Sequence, residues 1–189
     1  MNSDKVSYGN VGFTGILAVA VVIFSWLFAA SIDTTWVFGE DMMSDLGVSS
    51  FEGAKMLFNL GFCLMGGVLT AIFGILFACK NDTVGGTSFG AIMALAGICL
   101  MGIGIFTYGN TLHTPIASAL GVFALFAVIV MTAQDWADRK MVLGGVGFVA
   151  IVIVAYMGIT SSMELFEPVC AILGIIYIGI QSMAVLAKA

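Results

Sequence analysis

Six apolar runs, at about residues 10–32, 54–79, 87–108, 115–134, 141–161 and 167–187, take up most of this 189-residue chain. A hydrocarbon core about 30 Å thick is crossed by roughly 20 apolar residues of helix, so each run is long enough to span it. Only 9% of the residues are charged, against about a quarter in an ordinary soluble domain. No run alternates with the period of two that a barrel strand needs, and in lipid a helix satisfies its own backbone. The expected fold is therefore all-α: an integral membrane protein forming a single domain over 1–189, a bundle of six transmembrane helices. Ala29-Ala30-Ser31 is faintly like a signal cleavage site, but the run before it exceeds the length of a signal h-region and reads as a true span.

The few charges set an orientation. Lys5, Lys80, Arg139, Lys140 and Lys188 fall on one side of the spans and Lys55 on the other. Short loops rich in Lys and Arg stay in the cytoplasm, so both termini are expected there. The acids lean the other way, with Asp33, Glu40, Asp41, Asp45, Glu52, Glu164 and Glu167 outside and Asp4, Asp82, Asp135 and Asp138 inside. Neither side clusters the Lys and Arg that would neutralise phosphates, which argues against nucleic acid as a partner.

Twenty-four glycines, most of them within spans, point to close helix packing, because small residues replace the hydrophobic force that lipid removes. Asn59, Cys63, Gly66, Thr70 and Gly74 form a small and polar stripe on span 2, and Gly90, Ala94, Gly97, Met101 and Gly104 form another on span 3. Spans 2 and 3 are the expected central pair. The cysteines, Cys63, Cys79, Cys99 and Cys170, lie inside spans and read as buried thiols; Cys63 and Cys170 share a depth that leaves one bridge open. The absence of a CxxC spacing argues against metal ligation by these thiols.

One connection is long. Residues 33–53 form an outer acidic loop containing Gly39-Glu40-Asp41-Met42-Met43-Ser44-Asp45-Leu46-Gly47, and a connection of that length in a compact bundle usually has a function. Trp36 and Phe38 can anchor it at the headgroup level, so that it lies on the bundle. Ser49-Ser50-Phe51-Glu52 fits a capping box that opens span 2, and Thr114-Pro115 fits a cap and first-turn proline for span 4.

Proton-coupled transport needs ionisable groups at membrane depth, and the six runs as bounded show none in their interiors; a selectivity-filter signature is also missing. The sharper hint is on the outer side, where His113 is the single histidine of the chain. Ser44, Asp45, Asn59 and His113 are the expected lining of a small polar pocket near the outer ends of spans 2 and 4. The plainer readings are an interfacial histidine and a solvated acidic loop. A zinc hydrolase built on His113, Asp45 and Glu40 or Asp41 lacks histidines, although a carboxylate calcium site remains chemically open. Ser44 with His113 as base lacks an orienting third group. No catalytic residue, metal or cofactor is therefore assigned.

Ser44-Asp45-Leu46-Gly47, then Phe58-Asn59-Leu60-Gly61 in the next span, then His113 at the start of span 4, together resemble the six-span archaeal and bacterial membrane family catalogued as domain of unknown function 998. A more distant similarity is to the Frag/DRAM/Sfk membrane proteins, with an outer Ser-Asp-x-Gly motif before a Phe-rich span start. The first resemblance implies the six-span fold and a prokaryotic cell membrane but no activity. The second implies a lipid-related role. Some distant relatives are membrane hydrolases built on several histidines, a pattern this chain departs from. The expectation is a non-enzymatic membrane protein whose outward pocket binds lipid headgroups or a protein partner, a second copy included. A lipid-active hydrolase and a structural subunit of a larger membrane complex are the alternatives.

Overall fold

A computed structural model describes residues 6–189; Asp4 and Lys5, which entered the charge count, lie outside the described residues. The chain forms six long helices: α1 (Tyr8–Ile32), α2 (Glu52–Lys80), α3 (Val84–Ile105), α4 (His113–Ala137), α5 (Met141–Thr160) and α6 (Met163–Leu186). They run to 20–29 residues and are apolar enough to cross a membrane, so the protein is an all-helical integral membrane protein with six spans. Large apolar side chains cover its flanks, among them Phe24, Phe28, Val142 and Ile159, as a surface facing lipid requires. The connection 33–51 and residues 106–112 and 161–162 lie on one end of the bundle, called the loop face; the start of α1 and the ends of α2, α4 and α6 make the tail face.

The tightest contact is between α2 and α3. A Cβ placed on Gly90 would lie 2.5 Å from Gly74 O and from Ala78 N, and one on Gly97 would lie 2.5 Å from Ala71 N and 2.6 Å from Gly67 O. The two backbones therefore touch, with Gly90 and Gly97 of the expected span 3 stripe and Gly74 of the span 2 stripe at the contact, joined by Gly67 and Ala71 in place of the expected Gly66 and Thr70. Gly66 and Gly67 divide the work: Gly67 faces Met101 and Gly97 on α3, whereas Gly66 faces Val22 on α1. Gly15 of α1 abuts Phe73 of α2 and Ser182 of α6, fixing α6 against α1. Phe73, Phe77 and Phe89 fill the tail half of the core in edge-on pairs, with ring centroids 4.8–6.3 Å apart.

Two boundaries differ from the sequence reading, with chemical consequences. Helices α4 and α6 start ahead of their apolar runs: α4 begins at His113 and α6 at Met163, behind Ser162 in extended conformation. Thr114 is thereby inside α4, whose N-cap is Leu112, and makes no cap. Likewise α4 continues to Ala137, which takes Asp135 into a helix. The expectation of spans without ionisable groups is thus corrected at both ends of the bundle, by Glu167 and by Asp135. Asp135 has no solvent exposure, and its Oδ2 accepts from Gln181 Nε2 at 2.8 Å. Gln181 Nε2 also reaches the Tyr177 hydroxyl at 3.3 Å, and the Lys140 ammonium folds back to 3.7 Å from Asp135 Oδ1. A carboxylate so near a helix end is tolerated because a cation from the next connection can reach it.

Between Leu57 and Met65, α2 widens into a π-helix. Small residues make room for the wide turns: a Cβ on Gly104 of α3 would sit 2.7 Å from Asn59 O, and one on Gly61, within the stretch itself, would strike Ser25 of α1.

Gly90→Leu is expected to lower the thermal unfolding midpoint of the detergent-solubilised protein, since overpacking costs roughly 1–3 kcal/mol or more. Gly145→Ala, where an added Cβ meets nothing within 4 Å, should hold or raise it, alanine being about 0.5–1 kcal/mol better in a helix. Equal midpoints for the two variants would contradict the backbone contact as the source of stability.

Candidate functional site

Asp33 organises the long connection. It is buried at the C-cap of α1, and its two oxygens hold opposite ends of the loop. Oδ1 accepts from the Thr35 amide (3.0 Å), the Thr35 hydroxyl (2.6 Å) and the Trp36 amide (3.3 Å). Oδ2 accepts from the Ser49 hydroxyl at 2.6 Å, and Ser49 Oγ accepts in turn from the Phe51 amide at 3.0 Å. The capping box expected over Ser49–Glu52 is therefore not formed. The Ser49 hydroxyl is taken by a carboxylate, a stronger acceptor, while Phe51 becomes the N-cap and Glu52 pairs with Lys55 at 2.6 Å.

Between those ends the loop packs on the bundle. Trp26 of α1, Trp36 and Phe38 form an aromatic triangle with centroids 6.3–6.4 Å apart, and Trp36 Nε1 donates to Met42 O at 2.9 Å. Asp41, read as a solvated acid, accepts the Val37 amide at 2.8 Å across a turn that Gly39 closes at φ 83°.

The stretch Ser44-Asp45-Leu46-Gly47 lies in a 3-10 turn, Met43–Val48. Asp45 Oδ2 accepts the Met42 amide at 2.9 Å, capping that turn from within. Leu46 is fully buried, and Gly47 has no room for a side chain, since a Cβ would lie 2.8 Å from Asn59 Oδ1 and 3.2 Å from Phe58. Asn59 Nδ2 donates to Gly47 O at 2.8 Å, and its Oδ1 is buried without a partner. The two short motifs are thus one contact: the turn is clasped by the π-helical stretch of α2.

The residue that draws the others together is Glu167, which the sequence reading placed at the edge of a loop. It stands half-buried in the second turn of α6, directly before Pro168. Its Oε2 accepts the Met43 amide at 3.0 Å, and the Ser44 amide adds its dipole to the same carboxylate. His113 and Asp45 both lie within electrostatic reach of it. His113 is buried; its Nδ1 donates to Phe106 O at 2.8 Å, and Tyr108 stands edge-on at 5.7 Å. That bond commits the proton to Nδ1 and leaves Nε2 to accept when the ring is neutral or donate when it is charged. Of the expected residues, Ser44 reaches Glu167 through its amide, Asp45 and His113 lie within electrostatic reach of it, and Asn59 holds the turn from α2. An acid beside a proline in an apolar span was the available signal.

Cys63 and Cys170 are free thiols, so the bridge left open between them does not form. Among the described residues no three His, Cys, Asp or Glu side chains group as a metal site would.

Burial alone would raise the Asp33 carboxyl, but the hydrogen bonds from Ser49, Thr35 and Trp36 outweigh it and hold it below its ordinary value. A depressed carboxylate contributes stability that is complete above the unfolded value of about 3.9 and is lost as pH falls through the folded value. Amide exchange of residues 34–50, corrected for intrinsic rates, should accordingly speed up below about pH 4. In Asp33→Asn it should be fast throughout and lack that step; identical profiles would remove Asp33 from its role.

The family model described as Protein of unknown function (DUF998) matches residues 16–189. The match lends nothing to the more distant Frag/DRAM/Sfk likeness. No curated protein and no solved structure matches the chain. The matched stretch takes in five helices whole, most of α1 and every residue of the site just described, so the chain belongs to DUF998, a family of proteins of unknown function.

Proposed function

We propose that this protein is a non-enzymatic integral protein of a prokaryotic cell membrane, both termini cytoplasmic, whose outward acidic loop covers a polar site for a lipid headgroup. The orientation is supported by Lys80, Arg139, Lys140 and Lys188 at the tail face against Lys55 at the loop face. What carries the binding reading is Glu167, a carboxylate inside an apolar span, met by loop amides and within electrostatic reach of His113. Ser44, Asp45, Asn59 and His113 contribute in two ways. Asp45 and Asn59 hold the turn that covers the site, the Ser44 amide occupies the carboxylate until a ligand replaces it, and His113 faces the ligand's anionic part.

The sign of the site selects the ligand. Glu167 and Asp45 accept hydrogen bonds and attract a cation, while a charged His113 donates to an anion. A headgroup carrying both an ammonium and a phosphate, as an ethanolamine lipid does, matches that arrangement. Because Met43 and Ser44 already occupy the carboxylate, the ligand enters as the turn lifts and its ammonium replaces their amides. A protein partner, a second copy included, would have to displace the same turn; nucleic acid finds no basic surface there.

Native mass spectrometry of protein released from nanodiscs of mixed ethanolamine and choline lipids tests this. Glu167→Gln and His113→Ala should each lower the retained ethanolamine lipid roughly tenfold, the scale of one charged hydrogen bond, with helicity unchanged. Wild-type retention in both variants would overturn the proposal.

A further inference from the structure

Where α1 begins and α2 and α6 end, a cavity of about 440 Å³ opens on the tail face, lined by Ser7, Tyr8, Gly9, Lys80, Lys188 and Ala189, whose carboxylate pairs with neither ammonium. Both ammonium groups lie over the one Tyr8 ring, Lys80 Nζ at 4.7 Å and Lys188 Nζ at 5.8 Å from its centroid. Among the described residues neither makes an ion pair. Asp138 feels the charge of Lys188, but its carboxylate is bonded to Lys140 at 2.5 Å. Two like charges gathered on one ring repel each other, and a ring face satisfies none of their N–H groups. An anion between them removes the repulsion and takes the hydrogen bonds. The backbone supplies more donors: the Ser7 hydroxyl caps the Asn10 amide at 3.1 Å, which leaves the amides of Tyr8 and Gly9 without an intrahelical partner.

We infer that this cavity binds a phosphate-bearing anion, with Lys80 and Lys188 supplying charge and the first amides of α1 supplying hydrogen bonds. The surface beside it favours a lipid as the source. Phe13 and Leu17, 64% and 40% exposed, continue from Gly9 down the same side of α1 at helical spacing, where an acyl chain attached to that phosphate would lie. A free phosphate would use the cavity alone. The site is at the opposite end of the bundle from Glu167 and His113, so the two proposals stand or fall separately.

The full chain in nanodiscs mixing phosphatidylglycerol with phosphatidylcholine is the test, with bound lipid read by native mass spectrometry. Wild type should retain phosphatidylglycerol preferentially, and the double variant Lys80→Ala, Lys188→Ala should lose that preference by roughly tenfold or more. The pair Lys80→Arg, Lys188→Arg should keep it and serves as the control for folding. In a parallel arm, inorganic phosphate is titrated into detergent-solubilised protein and followed by ³¹P line broadening. Lysine-dependent broadening without any lipid preference would support the anion site with free phosphate as its ligand. A double alanine variant that folds, retains phosphatidylglycerol as wild type does and broadens phosphate equally would overturn the inference.

Discussion

The backbone contact between α2 and α3 is the constraint on which the other positions depend. Lipid offers no hydrophobic gain for bringing helices together, so close packing of small residues has to supply the attraction. Gly74 against Gly90 and Gly67 against Gly97 bring the two axes as near as backbones allow. From that pair the bundle extends both ways, through Gly61, Gly66 and Gly15 to α1 and α6, and from α3 to α4. α5 packs on α4 and more lightly on α6, and Gly145 of α5 meets nothing.

The loop face is arranged on that frame. Glu167 from α6 and His113 from α4 come within electrostatic reach because α1 and α3 hold those helices in place, and the turn Met43–Val48 meets Glu167 with its Met43 amide while Asp33 closes the loop at its base. Asn59 adds a clasp from the π-helical stretch of α2. A π-helical stretch is rare and often accompanies function; here it lets a single amide side chain reach over the rim of the bundle.

The spans and the glycine contact were legible because both follow from composition and spacing, which lipid enforces without exception. That Ser44, Asp45 and His113 lie on the same face of the bundle was legible; that Glu167 of α6 takes the Met43 and Ser44 amides was not. Glu167 was hidden by reading the helix start from apolarity, whereas α6 begins four residues earlier, at Met163. Asp33 was counted as one acid among many; its hydrogen bonds to Thr35 and Ser49 join residues whose separation carries no periodic signal. The capping box failed for the same reason, because Asp33, distant in sequence, competes for Ser49. The π-helix has no pattern of its own; it is accommodated by Gly104 of α3, where a Cβ would meet Asn59 O, and by Gly61 within the stretch, where a Cβ would meet Ser25 of α1.

The glycine contact joins two helices that are consecutive in the chain, separated only by residues 81–83. Contacts between near neighbours in sequence form early and at low entropic cost. During synthesis the α2–α3 hairpin can therefore close before α4, α5 and α6 have emerged, and these later helices dock on a finished surface. The residues that complete the polar cluster, His113 and Glu167, are consequently among the last to arrive, which postpones any recognition at the loop face until insertion of the whole chain is complete.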